Sequence, residues 1–129
     1  MKKFILLPFL ILALSITSCK KKPSGGLGGN ANLKISVFHH SLEIDSATVY
    51  IKFNATDKPT DNQYDLQQVL QKDLAGDSYA IFEGLKPGDY YVYATGWDPS
   101  IFSNVNGGIP YTIKEEADIQ ISVPVTEQH

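Results

Sequence analysis

The side chains able to do chemistry in this sequence are few: one Cys, three His, and carboxylates interleaved with aromatic rings. A single Cys19 forms no internal disulfide and has no Cys/His cluster around it from which to build a zinc site. Nucleophilic catalysis by Ser needs a neighbouring base, yet His129 is terminal and His39-His40 comes without a Gly-x-Ser-x-Gly elbow. Adjacent residues of a strand point to opposite faces, so His39 and His40 in a regular strand cannot ligate one metal. They are expected as solvated strand-end residues. Asp57, Asp61, Asp65, Asp73 and Asp77 are spread along one long connection without Asp-x-Asp-x-Asp-Gly spacing. Solvated loop charges are therefore expected rather than a calcium site or a catalytic pair. No catalytic residue, metal or cofactor is expected, and the chain is read as non-enzymatic.

The aromatic residues give the one binding lead. If Tyr90 and Val92 face a core, Tyr91 and Tyr93 lie on the other face of the same strand, close to a loop carrying Trp97, Asp98 and Phe102. Tyr91, Tyr93, Trp97 and Asp98 are the candidate ligand-binding set, since aromatic faces beside a carboxylate suit sugar rings or peptide segments. The alternative is that these rings cover a sheet edge or pack under the segment 96–108.

Elements that position such residues must be strands. Hydrophobic residues recur with period two: Leu33, Ile35 and Val37; Val49, Ile51 and Phe53; Tyr79 to Phe82; Tyr90, Val92 and Ala94; Tyr111 and Ile113; Ile119 to Val125. Asn106-Gly107-Gly108 is expected as the turn into Ile109 to Ile113. One segment, 65–74, has apolar positions at 66, 69, 70 and 74 that fit a helical face. An extended or irregular crossing segment is favoured there over a short helix, because a sheet needs a strand nearby and Gly76 follows. The expectation is an all-β fold, a single antiparallel β-sandwich of about seven strands.

Size and charge bound the rest. The chain has 129 residues, enough for one small domain. Residues 33–129 hold 6 Lys against 14 Asp and Glu, a formal charge of −8, and Arg is absent from the whole chain. No basic face is available to neutralise a phosphate backbone, so nucleic acid is not an expected partner.

The N-terminal stretch reads as an address. Met1 to Ser18 carries Lys2 and Lys3, a mostly apolar run from Phe4 to Ile16, then small residues before Cys19, the layout of a secretory signal peptide. The run is shorter than the roughly 18 residues that span a bilayer, and Pro8 disfavours a continuous helix. Ile16-Thr17-Ser18-Cys19 resembles the lipobox of bacterial lipoproteins. The resemblance implies cleavage before Cys19 and acylation of Cys19, so that the membrane is a partner through its acyl chains, and an outer-membrane location with the periplasmic face favoured over the cell surface. Lys20 to Lys22 would add about 1 kcal/mol each of attraction to anionic headgroups. Residues 19–32, rich in Lys and Gly, are expected as a flexible tether and 33–129 as the domain.

The most specific run is Phe82-Glu83-Gly84-Leu85-Lys86-Pro87-Gly88-Asp89-Tyr90, a strand, a turn and a second strand, with Pro87 and Gly88 suited to the centre of a type II turn. It resembles the F-x-x-L-x-P-G-x-Y signature of carboxypeptidase regulatory-like and transthyretin-like domains, and the likeness extends loosely over 33–125. That resemblance implies a prealbumin-type, Ig-like sandwich serving as a structural or protein-binding module of the cell envelope. A surface glycan- or peptide-binding accessory is the alternative and a small envelope hydrolase the third reading. The unidentified envelope protein or glycan partner is left open.

Overall fold

The computed structural model describes residues 23–128; the signal-peptide stretch, Cys19, Lys20 to Lys22 and His129 lie outside the described residues. Every regular element among the described residues is a strand: β1 (Leu27–His39), β2 (Leu42–Glu43), β3 (Ser46–Phe53), β4 (Leu66–Val69), β5 (Gln71–Lys72), β6 (Ser78–Leu85), β7 (Gly88–Asp98), β8 (Ser103–Ile113) and β9 (Asp118–Glu127). They join in the order β4-β3-β7-β8-β9-β1-β6-β5, with β2 paired to β1. The sheet is mixed and nearly closed. Two halves, β4-β3-β7-β8 and β9-β1-β6-β5, are joined on one side by a short ladder in which Val105 pairs with Glu127 and Asn106 with Thr126. On the other side the segment 66–72 passes from one half to the other. Val69 pairs with Thr48 of β3, Gln71 pairs with Tyr79 of β6, and Leu70 between them is buried. An open cleft of about 540 Å³, lined by Leu66, Gln67, Gln71, Tyr79 and Phe82 among others, marks where the sheet stops short of closure.

The alternation places one continuous core inside this wall. Leu33, Ile35 and Val37 of β1, Val49 and Ile51 of β3, Tyr90, Val92 and Ala94 of β7, and Val123 and Val125 of β9 are buried from solvent. Each large aliphatic side chain so buried contributes about 1.5–3 kcal/mol relative to exposure.

Several expectations need correction. The pairing is not antiparallel throughout: β1 and β9 run parallel from Asn32 opposite Asp118 to His39 opposite Val125. Period-two alternation reports which face a strand buries and carries no information on the direction of its neighbour. The strand expected from Leu33 begins at Leu27, inside the segment expected as a tether, and Ala31 is part of the core. Here glycine serves close approach rather than flexibility: a Cβ on Gly29 would lie 2.1 Å from the Leu85 carbonyl oxygen. Gly107 and Gly108 lie within β8 rather than in a turn, and the reversal after β7 falls at 99–102. A Cβ on Gly107 would lie 2.2 Å from the Pro124 carbonyl oxygen, so this glycine admits β9 at the seam between the two halves. Within the segment 65–74, 66–69 and 71–72 are extended strand and no helix forms, as favoured.

The Leu85 to Asp89 turn joins strands that do not pair with each other, carrying the chain from one half of the sheet to the other. Gly88 has φ 155° instead of the roughly +80° of a type II turn, and a Cβ there would lie 2.4 Å from the Gly25 nitrogen. The Tyr90 hydroxyl fastens the corner. It donates to the Lys86 carbonyl at 2.6 Å and accepts from the Gly26 N–H at 2.8 Å, while the Lys86 N–H bonds the Gly26 carbonyl. Asn54 receives the Gly25 N–H at 2.7 Å. Strand direction then fixes two poles: Gly25, Asn54 and Gly88 at one, His39, Ser46 and Asp98 at the other.

Candidate functional site

The outer face of β7 carries Tyr91, Tyr93 and Trp97 as its alternation requires, but the structure does not assemble the expected four-residue platform. Tyr93 stacks on Tyr64 of the 54–65 connection, with ring centroids 5.7 Å apart and planes within 7°, and the Lys58 ammonium sits 4.5 Å from the Tyr93 centroid. Tyr50 of β3 packs against both tyrosines at 5.2 and 6.1 Å. The connection therefore folds down over the tyrosines. Burial, reinforced by the neighbouring Tyr93, Tyr91 and Tyr50, pushes the Tyr64 hydroxyl up to about 12. That hydroxyl is buried with no hydrogen-bond partner among the described residues. Burial likewise raises Tyr91, whose hydroxyl lies against Gly108. Trp97 is 40% exposed and stands apart from this cluster, near the turn. Three of the five carboxylates of the long connection hold backbone: Asp65 accepts the Phe53 N–H at 2.7 Å, Asp61 the Gln63 N–H, and Asp73 the Asp77 N–H.

Asp98 belongs elsewhere. It shares the inward parity of Tyr90, Val92 and Ala94, is 1% exposed, and meets His39, which shares the inward parity of Leu33, Ile35 and Val37 and is 3% exposed. His39 Nδ1 and Asp98 Oδ2 are 2.6 Å apart. The other Asp98 oxygen accepts the Ser100 N–H at 2.8 Å and the Ser100 hydroxyl at 2.6 Å, so the carboxylate is fixed from both sides. His39 Nε2 lies 3.4 Å from Glu127 Oε1, too far for a good hydrogen bond, and is buried without a hydrogen-bond partner among the described residues.

The electrostatics follow from these contacts. The Asp98 hydrogen bond raises the His39 pKa, burial opposing it and Glu127 assisting. The Ser100 hydroxyl and then His39 hold Asp98 below the usual carboxylate range. Glu127 is lowered by its own backbone N–H first and by His39 in addition.

The expectation of two solvated histidines on opposite faces is corrected on both counts. His39 is buried and partnered. His40 is exposed, but it ends the strand with φ 56°, and this left-handed conformation brings its ring to 4.4 Å from that of His39, centroid to centroid. The alternation rule applies only while the strand continues, and here it stops between the two histidines. The resulting group, His39, His40 and Glu127, has ligand atoms all within 4.8 Å of one another. The inward parity of His39 and Asp98 was visible in the sequence. Their meeting depends on β1 and β7 ending at the same pole, which was not.

Comparison with known proteins returns no matching family, no matching curated protein and no matching solved structure.

Proposed function

We propose that this chain is a lipid-anchored cell-envelope protein whose β domain is a non-enzymatic binding module, tethered through Cys19 and presenting its far pole to a protein partner. The observation that carries the reading is polarity. Seven large hydrophobic residues among those described are exposed, and six of them, Leu42, Val69, Leu74, Trp97, Ile101 and Phe102, lie toward the pole opposite Pro23. Phe102 is 81% exposed at the tip of the β7–β8 turn, held there with φ 50°. Large apolar side chains concentrated toward one end of a small domain are what a protein partner would cover. β7 spans 11 residues, about 35 Å, from Gly88 at the entering pole to Asp98 at the other, so the apolar pole stands well away from the end at which the N-terminal segment enters.

The lipobox-like Ile16 to Cys19, followed by Lys20 to Lys22, supports anchoring at the entering end, in the outer membrane and facing the periplasm. The Tyr90 bond to the carbonyl four residues before it, within Leu85 to Tyr90, supports kinship with Ig-like β-sandwiches, in which a tyrosine hydroxyl closes a corner onto the backbone a few residues upstream.

Two measurements test the reading. Cys19→Ala should move the protein from the membrane to the soluble fraction and remove the acyl mass from its mature N-terminus; unchanged fractionation overturns the anchor. A photo-crosslinker placed beside Phe102 in intact cells should yield a discrete protein adduct that Ile101→Ser/Phe102→Ser abolishes. An adduct indifferent to that pair overturns the docking pole.

A further inference from the structure

We infer that His39, His40 and Glu127 form a binding site for a first-row divalent cation of the zinc type, with the fourth coordination position open to solvent. The inference is independent of the anchoring and docking reading, since it rests on these three side chains and on the Asp98 and Ser100 behind them.

Zinc takes imidazole and carboxylate ligands at about 2.0–2.1 Å in a tetrahedron, whose edges are then about 3.4 Å. His39 Nε2 and Glu127 Oε1 stand 3.4 Å apart, the separation of two ligands on one ion. His40, the third donor, is exposed, and its atom is already within 4.8 Å of the other two, a gap that a side-chain rotation closes. The buried member points the same way. His39 is 3% exposed, and its Nε2 has no hydrogen-bond partner among the described residues.

The support behind His39 is of the kind a metal ligand needs. Its Nδ1–H is directed at Asp98, which fixes the tautomer that leaves the Nε2 lone pair for a cation and makes that nitrogen more basic. Ser100 in turn fixes Asp98, so the orienting carboxylate cannot swing away. Asp98 is thus a positioning residue. A cation would replace the second proton of the imidazolium and settle the orphaned nitrogen. It would also bind together the end of β1, the residue after it, and the last residue of β9. Two neutral imidazoles and one carboxylate suit zinc better than the all-oxygen shells of calcium or magnesium.

The test is zinc titration by calorimetry of the full chain purified in detergent, without a polyhistidine tag, with melting temperature followed in parallel. One Zn²⁺ per chain should bind, raise the melting temperature and be removed by EDTA, with Ca²⁺ and Mg²⁺ inert at the same concentration. His40→Ala and Glu127→Gln replace exposed or half-exposed side chains and should keep the fold, each weakening zinc affinity by about 10-fold or more. Absence of saturable binding at millimolar Zn²⁺, or binding unchanged in both variants, overturns the site.

Discussion

The two poles of this domain are built from opposite chemistry. At the entering pole, Tyr90, Gly25, Gly26, Lys86 and Asn54 are joined by backbone amides, a phenol and a carboxamide, with glycines admitting the close approaches. At the far pole, ionisable groups are drawn inward, His39 onto Asp98, while large apolar side chains such as Phe102 are turned outward. The first arrangement satisfies its polar groups and hides its rings, which is what a structural corner requires. The second inverts both habits, burying ionisable groups and exposing rings, and such inversions concentrate where proteins bind something.

That contrast is breakable by substitution. The largest effect is expected at the entering pole. Tyr90→Ala removes a fully buried ring packed edge-on against Phe53 at 5.8 Å and should cost about 3–5 kcal/mol in urea unfolding. Tyr90→Phe keeps the ring and loses its hydrogen bonds, leaving the Gly26 N–H and Lys86 carbonyl unpaired, for about 1–3 kcal/mol. If Tyr90→Phe were neutral, the corner would be held by packing alone.

A smaller effect is expected midway between the poles, at Tyr64. Its phenol is easier to keep neutral in the folded state than in the unfolded chain. Stability should therefore be insensitive to this group below pH 10 and fall as pH rises from 10 toward about 12, and Tyr64→Phe should remove that alkaline loss. Because the hydroxyl has no partner among the described residues, the same substitution should be neutral or slightly stabilising at pH 7. The smallest effect is expected at the far pole, where Ile101→Ser/Phe102→Ser should change stability by no more than about 0.5 kcal/mol per residue while removing the contact surface. A large loss there would show that the tip supports the fold instead of displaying itself.

Much of the fold was legible from alternation alone. Leu33, Ile35 and Val37 against their polar neighbours predict a strand with one buried face; continued, that count reaches His39, and the Tyr90, Val92 and Ala94 count reaches Asp98, although the first was read as solvated and the second as part of a loop. The Gly-rich segment before Leu33 was misleading because composition cannot distinguish a glycine that frees the chain from one that lets two backbones touch. Gly29 against Leu85 is the second kind. The segment 96–108 misled in the same way, its Gly107 serving a close crossing rather than a turn. Of the candidate site, Tyr91 and Tyr93 were correctly assigned to an outer face, but the covering of Tyr93 by Tyr64 and Lys58 depends on a connection whose path no local pattern records.

By itself the sequence determined that the described residues are built of strands and which face of each is apolar. Those properties follow from the side chains and their period, which are local quantities. Only the tertiary structure decided that β1 and β9 run parallel, that the sheet nearly closes, and that a buried imidazole, an exposed one and a glutamate from opposite ends of the chain meet at one pole. Strand partners are chosen by the joint burial of all the apolar faces at once, and that choice exists only when the whole chain is folded.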